Sequence, residues 1–287
     1  MTIKESANQL LSTFASALAL NGKAPRDGPL FAGVDLGTAY TVTAVVDILG
    51  RPVAGALTRS QASIRDGLVL DYIGAIAILH DQVRIIREAG FPITIASAAY
   101  PPGTTGRNAQ AFGNVLQAAG LDVVGLVDEP TAASLVLDIQ DGAVVDIGGG
   151  TTGISVIKDG EVVYTADEAT GGVHLDLVIA GHYRIGTEEA EKIKTDPLRQ
   201  ASILPLVRPV FQKMATIVSH HLRQFPSTPV YLVGGTSCFP GIEAVMAEET
   251  GLPVERPAQP LWVTPLGIAF SCLRTARTEP GAGRDTP

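Results

Sequence analysis

The chain has 287 residues, 46% of them hydrophobic and 17% charged, a globular composition long enough for one large domain or two lobes with a sizeable core. Its net charge of −8 supplies no basic stripe to release counterions from phosphates, which argues against nucleic acid or an anionic membrane as partner. Two cysteines, Cys238 and Cys272, are too few for a disulfide scaffold or a four-thiolate metal site, and no apolar run approaches the length of a membrane span.

Ile3, Ala7, Leu10, Leu11, Phe14 and Leu18 recur at helical spacing, and "NGKAPRDGP" then stops the helix with glycine and proline. The first 30 residues therefore read as an amphipathic helix with a linker, either packed back on the body or free to dock on a partner. The run "LLSTFASALAL" lacks the basic flank of a signal peptide, which leaves a reducing cytoplasm as the expected location.

Three strand-like runs follow, "LFAGVDLG", "TVTAVVDIL" and "RPVAGALTRSQ". A long amphipathic helix, "VLDYIGAIAILHDQVRIIREAGF", ends at Gly90. Next come a strand, "ITIASAAY", a loop, "PPGTTGRN", a helix, "AQAFGNVLQAAG", and a strand, "DVVGLVDEP", that feeds a helix opening at Pro130. The second half repeats the plan: a glycine hairpin in "AVVDIGGGTTGISVIKDG", a strand "EVVYTADEATGG", a helix from about Val173, and the helical "GTEEAEKIK". The segment "LPLVRPVFQKMATIVSHHLRQF" reads as a helix beginning near Leu204, before a strand "PVYLVGGTS", a helix from about Pro240 and a closing helix "TPLGIAFSCLRTA". Strands alternating with helices after each opening hairpin give α/β lobes with sheets at their cores.

The chemistry lies in the repeated hairpin. A strand that ends in aspartate and turns on glycine presents a carboxylate beside backbone amides that no side chain obstructs. The amides can cradle phosphate oxygens, and the carboxylate can hold a hydrated Mg²⁺ that the phosphates also touch. "GVDLGTAYT" and "VVDIGGGTTGISVI" make two such hairpins, which suggests a clamp on a polyphosphate from both sides.

These stretches resemble the two phosphate loops of the actin-like ATPase superfamily, which includes actin, the 70-kilodalton heat-shock chaperones, bacterial shape and division proteins, and sugar kinases. Asp35, Gly37 and Thr38 match the first loop, and Asp146, Gly148, Gly149, Gly150 and Thr151 the second. "VDEPTAASL" resembles the connecting motif whose glutamate, here Glu129, helps position the attacking water; "YLVGGTSCFPGI" resembles the adenosine motif, with Gly234 and Gly235. In "EEAEKIK", Glu191 and Lys194 lie three apart on one helix face and match the pair that reaches the ribose hydroxyls. The matches keep their order from Phe31 to Ala276.

The resemblance implies an α/β, actin-like (ribonuclease H-like) fold of two duplicated lobes with reduced insertions. Its expected parts are the N-terminal helix and linker (1–30), lobe I (31–143), lobe II (144–259), a helix returning to lobe I (260–276) and a disordered tail (277–287). It further implies ATP or ADP as ligand, with Mg²⁺ held through water by Asp35 and Asp146, and weak ATP hydrolysis in which Asp35, Asp146 and Glu129 take the catalytic positions. "IRDGLVLDY", "AAYPPGTTGRNAQAFGNVLQAAGL", "YTADEATGG" and "IGTEEAEKIK" narrow the resemblance to compact chaperone-like proteins of ethanolamine utilization, associated with bacterial microcompartments. The partners so implied are ethanolamine-utilization enzymes or microcompartment shell proteins. Rival readings are a nucleotide-bound scaffold that self-associates or docks on a shell with little turnover, a reactivating factor for an ammonia-lyase, and, ranked last, a small-molecule kinase.

The sequence departs from the superfamily pattern at four places. Gly153 stands where the chaperones carry a further aspartate, Cys238 where they stack an arginine on adenine, and Ala98 where a proline couples nucleotide to lobe rotation. The stretch 49–90 contains no lysine to face the phosphates, and Arg65 beside Asp66 reads equally well as a surface pair. His174, His182, His220 and His221 have no cysteine or carboxylate cluster around them and read as surface or capping histidines.

Overall fold

The structure, a computed structural model, describes residues 3, 5–22, 28–60, 64–65 and 68–278. The expected linker's residues 23–27 and the expected tail's residues 279–287 lie outside the described residues, as does the side chain of Arg65.

Two five-stranded sheets of the same topology organise the chain. The first contains β1 (Phe31–Leu36), β2 (Tyr40–Val46), β3 (Pro52–Arg59), β6 (Ile95–Tyr100) and β7 (Asp122–Asp128), in the order β3-β2-β1-β6-β7. The second contains β8 (Gly142–Ile147), β9 (Thr152–Lys158), β10 (Glu161–Glu168), β11 (Val230–Val233) and β12 (Val254–Glu255), in the order β10-β9-β8-β11-β12. In each sheet the first three strands in sequence form an antiparallel meander, and the last two join parallel to the meander's first strand. The repeated phrase in the sequence is thus the opening hairpin of two copies of one unit. A two-stranded hairpin of β4 (Ile64–Arg65) and β5 (Leu68–Val69), too short to leave a period in the sequence, stands beside the first sheet.

The central strands are apolar without interruption because both faces are covered: all six residues of β8 are buried. In the first unit α2 (Tyr72–Glu88) and α3 (Gly106–Ala118) cover one face, burying Leu79, Ile86, Phe112 and Leu116. Asp71 caps α2 by accepting from the Gly74 amide at 2.9 Å. In the second unit α5 (Gly172–Tyr183), α6 (Thr187–Thr195), α7 (Pro197–Gln224) and α8 (Ile242–Thr250) cover the corresponding face, around Phe211, Met214 and Met246. The other faces share a single apolar cluster with α4 (Glu129–Leu137) and α9 (Val263–Thr278), which cross where Gly267 lies directly on the Ala132 carbonyl.

Helix α7 begins seven residues before the expected start at Leu204. Two internal prolines, Pro205 and Pro209, each remove a backbone bond at a cost of about 3 kcal/mol, which is why the sequence suggests a break there. Ile203, Val207, Phe211, Met214 and Val218 nevertheless make one continuous buried stripe, and Asp196 caps the true start by accepting from the Leu198 amide. At the other end of the chain α9 runs to Thr278, two residues into the segment expected to be tail.

The N-terminal helix, α1 (Glu5–Ala17), is packed on the body. Ala7, Leu11 and Phe14, the face marked by its periodicity, are buried against β3 and the shared cluster. That apolar face is already covered, so the free docking helix weighed from the sequence is not the arrangement observed.

Candidate nucleotide cleft

The two opening hairpins have the same geometry. Leu36 pairs with Thr41 and the Gly37 amide donates to the Tyr40 carbonyl at 3.0 Å; Ile147 pairs with Thr152 and the Gly148 amide donates to the Thr151 carbonyl at 3.0 Å. Asp35 and Asp146 hold the same place in each, one residue before the end of the outgoing strand. The hairpin tips meet across the lobes. A Cβ on Gly149 would lie 3.0 Å from the Ala39 Cβ, and one on Gly150 would lie 3.0 Å from the Thr38 hydroxyl, so a side chain at either position would push the tips apart by a few tenths of an ångström.

Hydrogen bonds turn the loop carbonyls away from the cleft. Ser60 donates from its amide to the Ala39 carbonyl at 2.8 Å and from its hydroxyl to the Gly37 carbonyl at 2.9 Å. In the second loop the Gly148 carbonyl accepts from the Gly172 amide at 3.0 Å and the Thr236 hydroxyl at 2.7 Å, and the Gly149 carbonyl from the Val173 amide at 2.8 Å. The amides of Thr38, Ala39, Gly149 and Gly150 have no hydrogen-bond acceptor among the described residues. Buried or half-buried amides of this kind call for an anionic partner.

A cleft opens onto these loops. Asp35, Gly37, Thr38, Glu129, Asp146, Gly148, Gly149, Gly150, Thr151, Gly234 and Gly235 all line it. Glu129 is placed by the start of α4, where Asp128 caps the helix by accepting from both the amide (2.9 Å) and the hydroxyl (2.7 Å) of Thr131. Asp146 is oriented by the Thr264 hydroxyl, which donates to its Oδ2 at 2.7 Å from the first turn of α9. Gly234 sits at φ +88°, and a Cβ there would collide with Asp146 Oδ1.

Burial first, and then the Asp146 charge, pushes Asp35 up to about 7. Burial followed by the charges of Asp146, Asp35, Asp167 and Asp128 raises Glu129 well above the ordinary carboxylate range. Asp146 is also raised by burial, with the Thr264 bond opposing the shift. Such crowding of like charge is relieved by protons or by a cation. Among the described residues, no three His, Cys, Asp or Glu side chains converge as a direct metal-ligand cluster, so the donor set fits a hydrated cation rather than a directly caged one.

A second, more apolar cavity of about 300 Å³ adjoins the cleft and shares Ala39, Tyr40, Gly149, Gly235 and Leu261 with it. Leu57, Leu175, Phe239 and Trp262 form its walls, with Cys238, Glu191 and Lys194. Glu191 and Lys194 therefore line the cavity beside that cleft, but both have protein partners. Lys194 donates to Asp176 at 2.8 Å and to the Gly172 carbonyl at 3.2 Å, and Glu191 forms an ion pair with Arg59 from the other lobe. Burial lowers the Lys194 pKa against the opposing pull of Asp176.

Three contributors to the cleft carry no signal that the sequence reading used. Thr264 is an isolated threonine in an otherwise structural context; Thr236 follows Gly235 inside "YLVGGTSCFPGI", where the glycines carry the resemblance. Asp167 lies opposite Gly153 in the β9–β10 ladder and puts a carboxylate charge near Glu129, in the neighbourhood where Gly153 leaves none. Its place one residue before the end of the run "YTADE" is the available clue. Gly153 itself faces Pro102 of the other lobe, whose Cγ a Cβ would meet at 3.3 Å. Among the histidines, His221 is held between the Tyr164 hydroxyl (2.7 Å) and Glu168 (3.1 Å), a packing role away from the cleft.

Comparison with known proteins agrees with this geometry. Residues 137–259 match the family of type IV pilus assembly protein PilM. Over 259 residues, covering 90% of this chain and 91% of the relative, the sequence is 42% identical to ethanolamine utilization protein EutJ of Salmonella typhimurium. The crystal structure of EutJ from Carboxydothermus hydrogenoformans superposes with a TM-score of 0.86 at 48% identity, covering 92% of this chain and 97% of that one. MreB 5 of Spiroplasma citri, solved with AMPPNP bound, superposes with a TM-score of 0.74 at 19% identity, covering 88% and 98%, which shows a common fold: the two-lobed, actin-like fold of duplicated units.

Proposed function

The chain belongs to the family of ethanolamine utilization protein EutJ, and from that premise we propose that it is an Mg²⁺-dependent ATP-binding protein, with weak ATP hydrolysis, acting as a chaperone or assembly factor in ethanolamine utilization. One observation carries the reading: two hairpins of the same pairing and turn bond meet tip to tip with four acceptor-free amides beside three charge-crowded carboxylates. Amides at that spacing bind phosphate oxygens, and the carboxylates fit a hydrated Mg²⁺, held through water by Asp35 and Asp146, that would supply the neutralising charge.

In this reading Thr38, Thr151 and the Gly148–Gly150 loop hold the phosphates, while Gly37 allows the first hairpin its turn. Gly234 and Gly235 let the nucleoside lie against the backbone, with the base and ribose in the apolar cavity. Glu191 reaches the ribose after releasing Arg59, and Lys194, anchored by Asp176, closes the same wall. Glu129 orients the attacking water by hydrogen bonding, a positioning role suited to a transition state in which the protein mainly places groups and balances charge.

Calorimetry with MgATP and MgADP on the whole chain, with Asp146→Ala as control, tests the reading. Heat lost in the variant supports it; no heat with the wild type overturns it. A second reading, a nucleotide-bound scaffold for ethanolamine-utilization enzymes or shell proteins, is favoured by Gly153, which stands where the resembling chaperones carry a further aspartate. Nucleotide-dependent light scattering without phosphate release would select it.

A further inference from the structure

We propose that α1 belongs to the ligand site: Phe14 sets the position of Trp262, and docking of α1 is coupled to occupancy of the apolar cavity. The proposal rests on the nucleotide reading above for the identity of the occupant.

Helix α1 touches both halves of the molecule. On the first sheet, Phe14 and Leu18 press on Gly55 of β3 so closely that a Cβ there would lie 2.6 Å from Phe14 and 3.0 Å from Leu18. On the second unit, the Ile3 amide donates to Glu255 of β12 at 2.7 Å, and the Ala258 amide donates to Asn8 Oδ1 at 2.9 Å. Phe14, fully buried, meets the Trp262 ring edge-on, with centroids 5.7 Å apart and planes at 87°. Such a pair contributes beyond its buried area and fixes ring orientation.

Trp262 is at the same time a wall of the cavity next to the phosphate cleft. Its Nε1 is held by the Gln259 side chain at 2.8 Å, so the ring has Phe14 as neighbour and the cavity within its reach. An occupant packed on the ring restricts it to the orientation on which Phe14 docks. A 13-residue helix is marginal alone in water, so α1 off the body is α1 unfolded, and its docking is a local two-state event. Ligand binding then strengthens docking, and docking strengthens ligand binding by the same factor. Phe14 is a positioning residue here; it touches Trp262 and not the ligand.

The test uses MgADP and the whole chain. Amide hydrogen exchange in residues 5–17 should slow when MgADP is added, and the emission of Trp262, the only tryptophan in the sequence, should change over the same titration. Phe14→Ala should weaken MgADP binding about tenfold, within the usual range of coupling between sites, and Phe14→Leu should weaken it less. Asn8→Ala, which leaves the core intact, should shift affinity in the same direction and serves if Phe14→Ala does not fold. MgADP heat with unchanged exchange in 5–17 and equal affinity in Asn8→Ala and Phe14→Leu overturns the coupling alone. Absence of heat with the wild type is a different result, and it overturns the nucleotide reading on which the coupling depends.

Discussion

Arg59 at the end of β3 and Glu191 on α6, separated by 132 positions in the sequence, form an ion pair from one lobe to the other at the wall of the apolar cavity. It ties up the glutamate expected to receive the ribose. Behind it lies the more buried pair of Lys194 and Asp176, where burial raises the Asp176 carboxyl above its ordinary range and the charges of Lys194 and then Arg59 oppose the shift. Arg59 is about half exposed, so the pair contributes on the order of 0.5 kcal/mol to stability. Its larger effect should be kinetic. Arg59→Ala is expected to leave the melting temperature nearly unchanged and to speed release of a fluorescent ADP analogue several-fold in a stopped-flow chase. Equal release rates would remove the pair from any role in cleft opening.

Glu129→Gln tests the water-positioning role separately from binding. The amide keeps the shape of the side chain but removes its charge and one acceptor, so MgATP affinity should hold within about threefold while phosphate release falls by about two orders of magnitude. A variant that turns over at the wild-type rate would assign the water to another residue, with Asp167, whose charge also acts on Glu129, the first to test.

The carboxylate cluster gives the ligand-free protein a definite response to pH. Asp35 has an ordinary value of 3.8 and is pushed up to about 7 in the folded chain, so the folded state holds this proton more tightly than the unfolded one. Stability from that proton is fully present below 3.8 and is lost as pH rises through about 7. Asp146 and Glu129 are raised as well and add the same sign. Because Asp35 faces an open cleft, the loss between pH 5.5 and 7.5 is put at about 1 kcal/mol, discounted for solvent. Denaturation midpoints should therefore be higher at pH 5.5 than at 7.5, and Asp35→Asn should flatten the difference. A midpoint that rises with pH in the wild type, with no change in Asp35→Asn, would contradict the crowding.

The fold was legible where local pattern and tertiary role coincide. Each opening hairpin carries its aspartate, its glycine and its β-branched strands within about fifteen residues, and Asp35 and Asp146 could be placed at strand ends without a third dimension. The start of α7 was not legible, because Pro205 and Pro209 send a strong local signal that only the buried stripe from Ile203 to Val218 overrides. In the cleft, Gly37, Gly148 and Gly234 announce themselves through motif, whereas Thr264 and Asp167 act through contacts with residues more than a hundred positions away or on a neighbouring strand. The occupied state of Glu191 and Lys194 was invisible for the same reason. Their spacing on one helix face reads from the sequence, but Arg59 and Asp176 reach them only through the fold.

Gly234 offers the most stringent check of the cleft geometry. It combines φ +88° with a backbone that lies directly against Asp146 Oδ1, so alanine there is strained twice. The left-handed conformation alone costs roughly 1 kcal/mol for a residue with a Cβ. Moving Asp146 aside also breaks its 2.7 Å bond from Thr264, worth about 1.5 kcal/mol, the low end for a charged acceptor. Gly234→Ala should thus lower the unfolding free energy by about 2 to 3 kcal/mol and abolish MgADP heat together. Gly251, at φ +68° with nothing near its Cβ position, isolates the backbone part of the effect. Gly251→Ala should cost stability by about 1 kcal/mol and leave nucleotide affinity unchanged. If both variants lose stability equally and both bind MgADP normally, the contact between Gly234 and Asp146 has no part in the cleft.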